Sequence, residues 1–483
     1  MSITRFCREE ATILLNFLRP AVEEMLSLCS KSEADFSVVE SAVIAAVKVI
    51  RTQLVSRGLD VSARCTSHDY ICPKCGQSLT VWGLRVRKVV TAAGSGNLRA
   101  IRYRCTQCCV DYYPIIEGNS LIGGKFTLGA KERIATDAAD SCFRKVSRKL
   151  PEVGIEVSAK EVDRQVREAG ELLRLEQDKE TELYLNNLQR KTEESFICAL
   201  GSEGSSAADP VPEAMFSWAG WEGQTWAQIS VDGAKARSPE MGPTGLTWFD
   251  VRTGLIRPVD EGSSALAFHT SGVMSWDRMF DRLLAVWQQR PPGLENIVFV
   301  SDDGAGIMPR AESYFQNAIL IIDICHASAH VQSAALALWG PDSEQAKTIK
   351  DRSMHVLKNS NGPQDYIRQF IAAARLGPVA DPKELETNVR YLWRNRHKMK
   401  YMKWHSMGLP IGSGAVESSV KQICVRRLRE AGMKWTTDGA DCVLQVRSAC
   451  LSQTCHTVFA REQERARQAY RRFLPSDHYS QAA

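Results

Sequence analysis

The stretch Trp226-Ala-Gln-Ile-Ser-Val-Asp232-Gly233 is a short apolar run that ends on an acidic residue. Its length and composition predict a buried strand. A second run of the same form, Ile297–Ser301, is followed directly by Asp302 and Asp303. Acidic side chains rarely occupy the ends of buried strands unless they are paired or bind a cation. The two stretches therefore predict a sheet that carries carboxylates at the ends of its strands.

The residues around these runs extend the pattern to a mixed α/β core. The further predicted elements are strands at 246–251, 254–258 and 318–324 and an amphipathic helix at 271–289. A turn at Arg252-Thr253 separates the first two of these strands. The predicted order is three strands, a helix, a strand, a helix and a strand, which indicates an α/β domain. A mostly helical stretch, 327–405, follows, and Gly412-Ser413-Gly414 then begins a helix that contains Glu417.

Three carboxylates are candidates for a shared metal site. Asp232, Asp303 and Glu417 could hold two Mg²⁺ or Mn²⁺ ions, because hard cations prefer carboxylate oxygens. Two ions held in this way stabilise the attacking and leaving oxygens of an in-line phosphoryl displacement. In this hypothesis Asp232 bridges the two ions, and the other two carboxylates each complete one side. Asp302 is the alternative to Asp303, and each Asp-Gly pair also fits an ordinary turn.

Four of the 15 cysteines form two CxxC pairs, namely Cys72, Cys75, Cys105 and Cys108. Two such turns on facing hairpins place four thiolates around one ion, and a closed site of this kind indicates structural zinc. Strands are predicted at 79–84 and 99–103, with a turn at 93–97 between them. Cys109 is the alternative to Cys108, although the CxxC spacing favours Cys108. A redox-active pair is the other interpretation of the motif.

A helix-turn-helix pattern follows the cysteines. Helical segments are broken at Pro151 and Gly154, and a new helix begins at Ser158, which forms a capping box with Glu161. Its basic residues are Lys160, Arg164 and Arg167, and its apolar residues Val162, Val166 and Ala169 fall on another face. A short helix, a turn and a basic helix suit docking in the DNA major groove. Ordinary helix packing produces the same pattern.

The distribution of charge is more informative than the net charge of +5. Residues 84–149 contain 13 Lys or Arg against 5 Asp or Glu, and residues 390–434 contain 11 against 2. Such concentrated basic segments fit either a polyanionic partner or plain solvated surfaces. No apolar run approaches the roughly 18 residues of a membrane span, and charged residues precede the first apolar stretch, unlike a secretion signal. These patterns predict a cytoplasmic protein.

Several of these stretches together resemble the bacterial insertion-sequence transposases of the Kra type, in the DDE class that also holds the Mutator-like group. The matching stretches, within about residues 68–450, are Ser-Val-Asp232-Gly, Asp303-Gly-Ala, Asp323-x-x-His326, Leu409-Pro-Ile-Gly-Ser-Gly-Ala-Val-Glu417-Ser and Arg426-Arg-Leu-Arg-Glu-Ala-Gly-Met-Lys-Trp435. The last two stretches are the longest and the most specific. The family's second aspartate stands in Gly-Asp-Gly-Ala, and Asp302 replaces the first of these glycines here.

The resemblance implies an RNase H-like catalytic core with a helical insertion, and a transposase that acts on double-stranded DNA. Such an enzyme binds terminal inverted repeats, cleaves the element ends and transfers a strand into target DNA, as a homodimer or higher oligomer. The implied catalytic residues are Asp232, Asp303, Glu417 and His326. The candidate DNA-binding residues are Lys160, Arg164 and Arg167 of the predicted basic helix, together with Arg426, Arg427, Arg429 and Lys434 of the matching basic segment.

The sequence predicts six segments. They are an N-terminal helical segment (1–65), a zinc ribbon (66–116), a helix-turn-helix-like region with connector helices (127–197), an RNase H-like core (222–326 and 406–450), a helical insertion (327–405) and a C-terminal tail (451–483). Two other functions stay open. One is a nuclease of the same fold that cleaves without joining, and the other is a DNA-binding regulator that has lost catalysis.

Overall fold

The computed structural model describes residues 3–31, 35–65, 69–121, 123–199, 214–240, 247–260, 262–430 and 432–475. These residues form a mixed α/β structure with two sheets. The chain divides into two compact units, Met1–Ala169 with Cys455–Ala483, and Gly170–Thr454. The predicted linker at 201–212 lies outside the described residues. None of the described helices combines the length and apolar character needed to cross a membrane.

The first unit combines helices with a three-stranded antiparallel sheet of order β1-β2-β3. Its elements up to the second unit are α1 (Ile3–Ser30), α2 (Phe36–Cys65), β1 (Thr80–Thr91), β2 (Gly94–Cys105), β3 (Val110–Tyr112), α3 (Pro114–Glu117), α4 (Leu128–Ala139), α5 (Phe143–Lys149), a 3-10 turn (Leu150–Val153) and the first part of α6 (Ala159–Ala199).

The β1–β2 hairpin is longer than the sequence predicts. The two strands pair as far as Gly94, so only Ala92-Ala93 forms the turn. The predicted turn at 93–97 is wrong because most of these residues belong to the ladder. A Cβ at Gly96 would lie 3.0 Å from the backbone nitrogen of Ser56 in α2. This glycine therefore allows close packing of helix and strand, and it does not form a turn.

The start of α6 agrees with the sequence prediction. Gly154 adopts a positive φ of 77° at the end of the 3-10 turn. The hydroxyl of Ser158 then accepts a hydrogen bond from the backbone N–H of Glu161 at 3.2 Å, which satisfies one of the free donors of the first helical turn. Val162 and Val166 are buried. The helix continues unbroken to Ala199, so the predicted connector is part of the same helix.

The second unit contains a five-stranded sheet and most of the helices. Its elements are β4 (Trp226–Arg237), β5 (Trp248–Pro258), β6 (Phe268–Gly272), α7 (Trp276–Trp287), β7 (Asn296–Ser301), a 3-10 turn (Gly304–Gly306), α8 (Ile307–Tyr314), β8 (Ile319–Ile322), α9 (Ile324–Trp339), α10 (Glu344–Lys358), α11 (Gln364–Leu376), α12 (Pro382–Asn395), a 3-10 turn (Arg396–Lys398), α13 (Tyr401–Ser406), α14 (Gly414–Val420), a π-helical segment (Lys421–Val425), α15 (Arg426–Leu428) and α16 (Thr437–Leu451).

The predicted succession of strands and helices in this unit agrees with the structure only in number, because two of the predicted strands are a single strand and one observed strand was not predicted. The ladder between β4 and β5 is continuous through Arg252 and Thr253, so the predicted turn there does not exist. Thr253 is fully buried, and its hydroxyl lies 3.0 Å from that of Ser271 in β6. The third strand is therefore β6, and the predicted helix at 271–289 starts too early because α7 begins only after this strand.

The sheet has the order β6-β5-β4-β7-β8. The first three strands are antiparallel, whereas β7 and β8 run parallel to β4. Parallel pairing of residues 226–229 of β4 with β7 brings Val231 to the edge where β7 ends, and there the hydroxyl of Ser301 donates to the carbonyl of Val231 at 2.9 Å. Asp232 and Asp302 directly follow Val231 and Ser301. The predicted strand end at Asp232 is wrong, because β4 continues through this residue, which pairs with Thr253 of β5. Because α14 packs against β4 and β5, the helix that carries Glu417 reaches the same edge.

The segment at 451–483, predicted as a tail, contains a further helix, α17 (Cys455–Arg471), which belongs to the first unit. After this helix, Phe473 is fully buried and packs edge-on against the ring of Tyr112, with 5.5 Å between the ring centroids. The carbonyl of Phe473 also accepts a hydrogen bond from Ile71 at 2.8 Å. The residues directly after α17 are thus part of the fold around the cysteines.

Candidate active site and metal centre

Asp232 lies in a crowded group of carboxylates. Burial raises its pKa, and the nearby carboxylates of Asp302 and Glu417 raise it further. The backbone N–H of Gly233 donates to Oδ1 of Asp232 at 2.6 Å and partly opposes this effect. The carboxylates of Asp302 and Glu417, which are distant from Asp232 in the sequence, therefore lie near enough to raise its pKa. A cation bound between the carboxylates relieves repulsion of this kind.

The structure separates the two adjacent aspartates after β7. Asp302 lines a cleft of about 350 Å³ together with Asp232, Arg252, Trp276 and Arg429. Asp303 does not line this cleft, and its Oδ2 accepts a hydrogen bond from Asn395 at 3.1 Å instead. The sequence favoured Asp303 on the family pattern. The geometry favours Asp302 as the second carboxylate beside Asp232.

Glu417 stands in the first turn of α14, and its position depends on a buried neighbour. The hydroxyl of Ser413 donates to Oε1 of Glu417 at 2.6 Å. The backbone N–H of Ser413 in turn donates to Oδ2 of Asp323 at 2.6 Å. Asp323 is only 4% exposed, and its Oδ1 also accepts from the N–H of His326 at 2.8 Å. Asp323 therefore ties the glycine-rich turn to the start of α9, a role that the Asp-x-x-His motif signals.

His326, predicted as a catalytic residue, lies in an aromatic cluster. Its ring is edge-on to that of His330 at 4.9 Å between centroids, and His330 stacks on Tyr391 at 3.8 Å. Burial lowers the pKa of His330. Burial also raises the pKa of Tyr391, and the carboxylates of Asp303 and Asp302 add to this effect. The cluster therefore borders the two aspartates from the side of the helical insertion.

The carboxylates supply the hard oxygen donors that Mg²⁺ and Mn²⁺ prefer. Among the described residues, the four cysteines are the only group of three or more His, Cys, Asp or Glu ligands whose donor atoms all lie within 4.8 Å of one another. Asp232, Asp302 and Glu417 therefore do not form a group this close. In a two-ion site, the two outer carboxylates bind different ions about 3.5–4 Å apart and need not touch each other.

The four predicted cysteines come together as a compact cluster that could hold a zinc ion. The Sγ atoms of Cys75 and Cys105 are 3.5 Å apart, and those of Cys72 and Cys108 are 4.0 Å apart. Four sulfurs at about 2.3 Å from a tetrahedral ion are separated by roughly 3.8 Å. The alternative ligand, Cys109, is exposed and directs its thiol to the carbonyl of Thr106 at 3.7 Å. The CxxC spacing therefore identified the correct set.

One thiol of this cluster favours the charged form that binds metal. Burial opposes ionisation of Cys72, but hydrogen bonds from the Tyr112 hydroxyl and from backbone N–H groups lower its pKa to about 6. The Tyr112 oxygen lies 3.6 Å from the sulfur. Thiolate is the form that binds metal, so this environment supports a metal-ligand role.

Replacing Cys105 with serine is expected to remove one zinc ion per chain and to destabilise the first unit. Structural zinc contributes folding free energy directly, and a loss of even about 3 kcal/mol lowers the melting temperature of a unit of this size by roughly 6–12 °C. Elemental analysis and calorimetry measure the two effects. Cys109→Ser is the matched control, and it should keep both the metal and the melting temperature. Full zinc content in Cys105→Ser would contradict the assignment.

The basic residues predicted on α6 are largely balanced by neighbouring acids. Arg164 pairs with Glu161, and Arg167 pairs with Asp163 at 3.2 Å. Lys160 is exposed. Exposed pairs of this kind contribute little stability.

The second predicted basic segment divides into buried and exposed residues. Arg427 is only 2% exposed, and its guanidinium lies over the ring of Trp435 at 4.9 Å. Arg426 and Lys434 are exposed. Arg429 is exposed as well, and its Nε donates to the carbonyl of Lys235 at 2.7 Å. Arg427 therefore belongs to the packing of this segment, whereas the other three remain accessible to DNA.

No family model matches the chain, and no curated protein shows significant similarity to it. Its function is therefore inferred from its own residues and their geometry.

Proposed function

We propose that the chain is a DNA transposase with an RNase H-like catalytic core, similar to the Kra-type insertion-sequence enzymes. The observation that carries the proposal is the proximity of Asp302 and Glu417 to Asp232, whose pKa both carboxylates raise, although the three residues come from strand β4, the loop after β7 and a distant helix. Mixed pairing in a five-stranded sheet of order β6-β5-β4-β7-β8 supports the RNase H-like assignment. The helices α9–α13 between β8 and α14 fit the expected insertion.

The carboxylates and their supporting residues have distinct roles in this proposal. Asp232, Asp302 and Glu417 would hold two divalent cations, which would supply Lewis-acid activation of a water or of a DNA 3′-hydroxyl. Asp323 positions Glu417 through Ser413. Holding the metal ligands in place before the substrate binds matters, because the orientation of reacting groups contributes much of the rate enhancement.

Positive charge around the carboxylates fits a polyanionic substrate. Arg252 and Arg429 line the same cleft as Asp232, and Lys235 extends the basic surface along β4. The guanidinium of Arg252 lies over the ring of Trp276 at 4.7 Å, which holds it at the cleft wall. Cations placed next to the metal ligands attract DNA phosphates and fix their register. Double-stranded DNA, at the element ends and at the target, is therefore the proposed partner, bound by a homodimer or a higher oligomer.

The proposal is tested by incubating the purified chain with Mg²⁺ and DNA that carries the ends of its own genetic element. Products joined to target DNA support a transposase. Nicks without joining favour a nuclease of the same fold, and binding without any cleavage favours a regulator. Omitting the divalent cation should abolish both cleavage and joining while protein–DNA complexes persist.

Replacing Asp323 with alanine is expected to slow cleavage by roughly 10- to 100-fold, because loss of a ligand-orienting partner typically has this effect. The N–H of Ser413 would lose its acceptor, and Glu417 would lose its fixed position. Cleavage rates at increasing Mn²⁺ concentration are the measurement, and a higher Mn²⁺ requirement with unchanged DNA affinity is the expected result.

The control for this change is Asp381→Ala. Asp381 also caps a helix, because its side chain accepts from the N–H of Glu384 at 3.0 Å, but it does not contact the glutamate turn. If both variants lose the same amount of activity, the effect comes from helix capping alone and the positioning role of Asp323 is wrong.

A further inference from the structure

A second cavity, of about 550 Å³, lies along the outer half of the β4–β5 hairpin. Its lining includes Lys235, Arg237, Trp248, Arg429, Glu430 and Met433. Lys235 and Arg429 also line the carboxylate cleft, so the two spaces share a wall. The volume falls within the range of pockets that bind small organic groups, about 300–1,000 Å³. No residue of the proposed metal site lines this cavity.

One wall of the cavity is an aromatic surface beside cations. Arg237 and Trp248 are directly paired between β4 and β5, and the guanidinium of Arg237 lies 5.5 Å from the centroid of the indole ring. Trp248 is nevertheless 41% exposed. A tryptophan held at a strand position, with much of its surface accessible and a cation at its side, suits stacking against a flat ring.

The opposite wall is the segment that follows α15, and hydrogen bonds fix it to β4. Arg429 donates to the carbonyl of Lys235 at 2.7 Å, and the backbone N–H of Trp435 donates to the carbonyl of Arg237 at 2.8 Å. The packing of Arg427 over the ring of Trp435, with 4.9 Å to its centroid, adds to this support. Hydrogen bonds to β4 therefore hold the described residues of this wall at Arg429 and Trp435, which favours a preformed site.

We propose that this cavity binds one unstacked base of the DNA strand whose phosphate lies in the carboxylate cleft. The inference rests on the proposed function and adds a nucleotide-binding site to it. The indole of Trp248 provides the stacking surface, and Lys235, Arg237 and Arg429 contact the phosphates on either side. Stacking of this kind is tolerant of base sequence, because every base has a π-face. Glu430 offers an acceptor for an exocyclic amino group at the rim.

An unstacked base next to the cleft has a clear consequence for DNA recognition. Extruding a base from a duplex costs a few kcal/mol, and the cost is smallest where the base is already unpaired. The chain is therefore expected to prefer DNA that has an unpaired nucleotide over the same DNA in fully paired form. Removing the indole should remove this preference and leave general phosphate contacts intact.

The test compares two duplexes of one sequence, one fully paired and one with a single unpaired 2-aminopurine, by fluorescence anisotropy. The full-length wild-type chain should bind the second duplex at least about fivefold more tightly, the lower limit for one stacked base. Trp248→Ala should bind both duplexes equally, with little change for the paired one. Trp248→Phe should keep part of the preference. The 2-aminopurine emission should be quenched by the wild type and not by Trp248→Ala.

Trp393→Ala is the matched control, because Trp393 is also exposed and lies under a guanidinium, that of Arg396 at 4.0 Å, but does not line this cavity. This variant should retain the preference. Equal binding of the two duplexes by the wild type, or an equal loss for both in Trp248→Ala, would overturn the inference and leave the proposed function standing. If the wild type binds neither duplex, both this inference and the proposed function are wrong.

Discussion

Replacing Asp232 with asparagine is expected to lower Mg²⁺-dependent DNA cleavage by at least about 1,000-fold, because a metal bridge contributes several kcal/mol to the transition state. Asparagine keeps the shape of the side chain but removes the charge that two cations share. The half-buried Asp232 carboxylate has a raised pKa, so removing its charge also relieves repulsion. The variant should therefore fold at least as stably as the wild type and still bind DNA.

The measurement is a single-turnover cleavage assay together with a DNA-binding assay and a melting curve. Asp365→Asn is the control, since Asp365 is an exposed aspartate in α11 that pairs with Arg368 at 3.1 Å. Wild-type cleavage by Asp232→Asn would exclude a bridging role. Loss of DNA binding or of the folded state would show that the effect is structural.

The second prediction with a large effect compares two neighbouring aspartates, Asp302 and Asp303. Asp302→Asn is expected to reduce cleavage by about 100-fold or more, because Asp302 shares the cleft with Asp232 and raises its pKa. Asp303→Asn should have a much smaller effect, since its carboxylate lies outside the cleft and accepts a hydrogen bond from Asn395. The same cleavage assay measures both variants.

The family resemblance predicts the opposite result, a larger loss of cleavage for Asp303→Asn than for Asp302→Asn, since Asp303 stands in the Asp-Gly-Ala stretch. A loss confined to Asp303→Asn would therefore support the sequence pattern against the geometry. Measuring the Asn395→Ala variant as well distinguishes a catalytic role of Asp303 from a structural one. If Asp303 only fixes the helical insertion, Asn395→Ala and Asp303→Asn should lower the melting temperature to a similar degree.

Features encoded locally were predicted well from the sequence. The CxxC spacing identified Cys72, Cys75, Cys105 and Cys108, because each pair needs only a tight turn to place its sulfurs. The capping of α6 by Ser158 depends on residues three apart. The strands β4, β7 and β8 and the helix α7 were also found close to their predicted positions, since apolar runs and helical periodicity mark these elements.

The errors come from features that depend on distant partners. Thr253 looked like a turn residue, but its strand is continuous because β4 and β6 pair along both sides of it. Arg427 looked like a DNA contact in a basic run, but Trp435 covers it. Whether the side chain of Asp302 or that of Asp303 lies beside Asp232 depends on the path of the backbone after the end of β7. Spacing alone does not determine any of these contacts.

The helical insertion shows the same limit. The number of residues between β8 and Glu417 predicted its length, but the sequence did not predict that it contacts the carboxylates. Asn395 at the end of α12 is buried and reaches Asp303, and Tyr391 one turn earlier stacks on His330. These residues carry no motif, so only the three-dimensional packing shows that the insertion borders the carboxylates.

The central claim is that Asp232, Asp302 and Glu417 share divalent cations. Anomalous diffraction from crystals of the chain bound to DNA and soaked with Mn²⁺ tests it most directly. We expect two manganese peaks about 3.5–4 Å apart, with Asp232 between them, as in two-metal phosphoryl-transfer sites. Manganese elsewhere on the chain, with none at Asp232 while DNA occupies the cleft, would contradict the account.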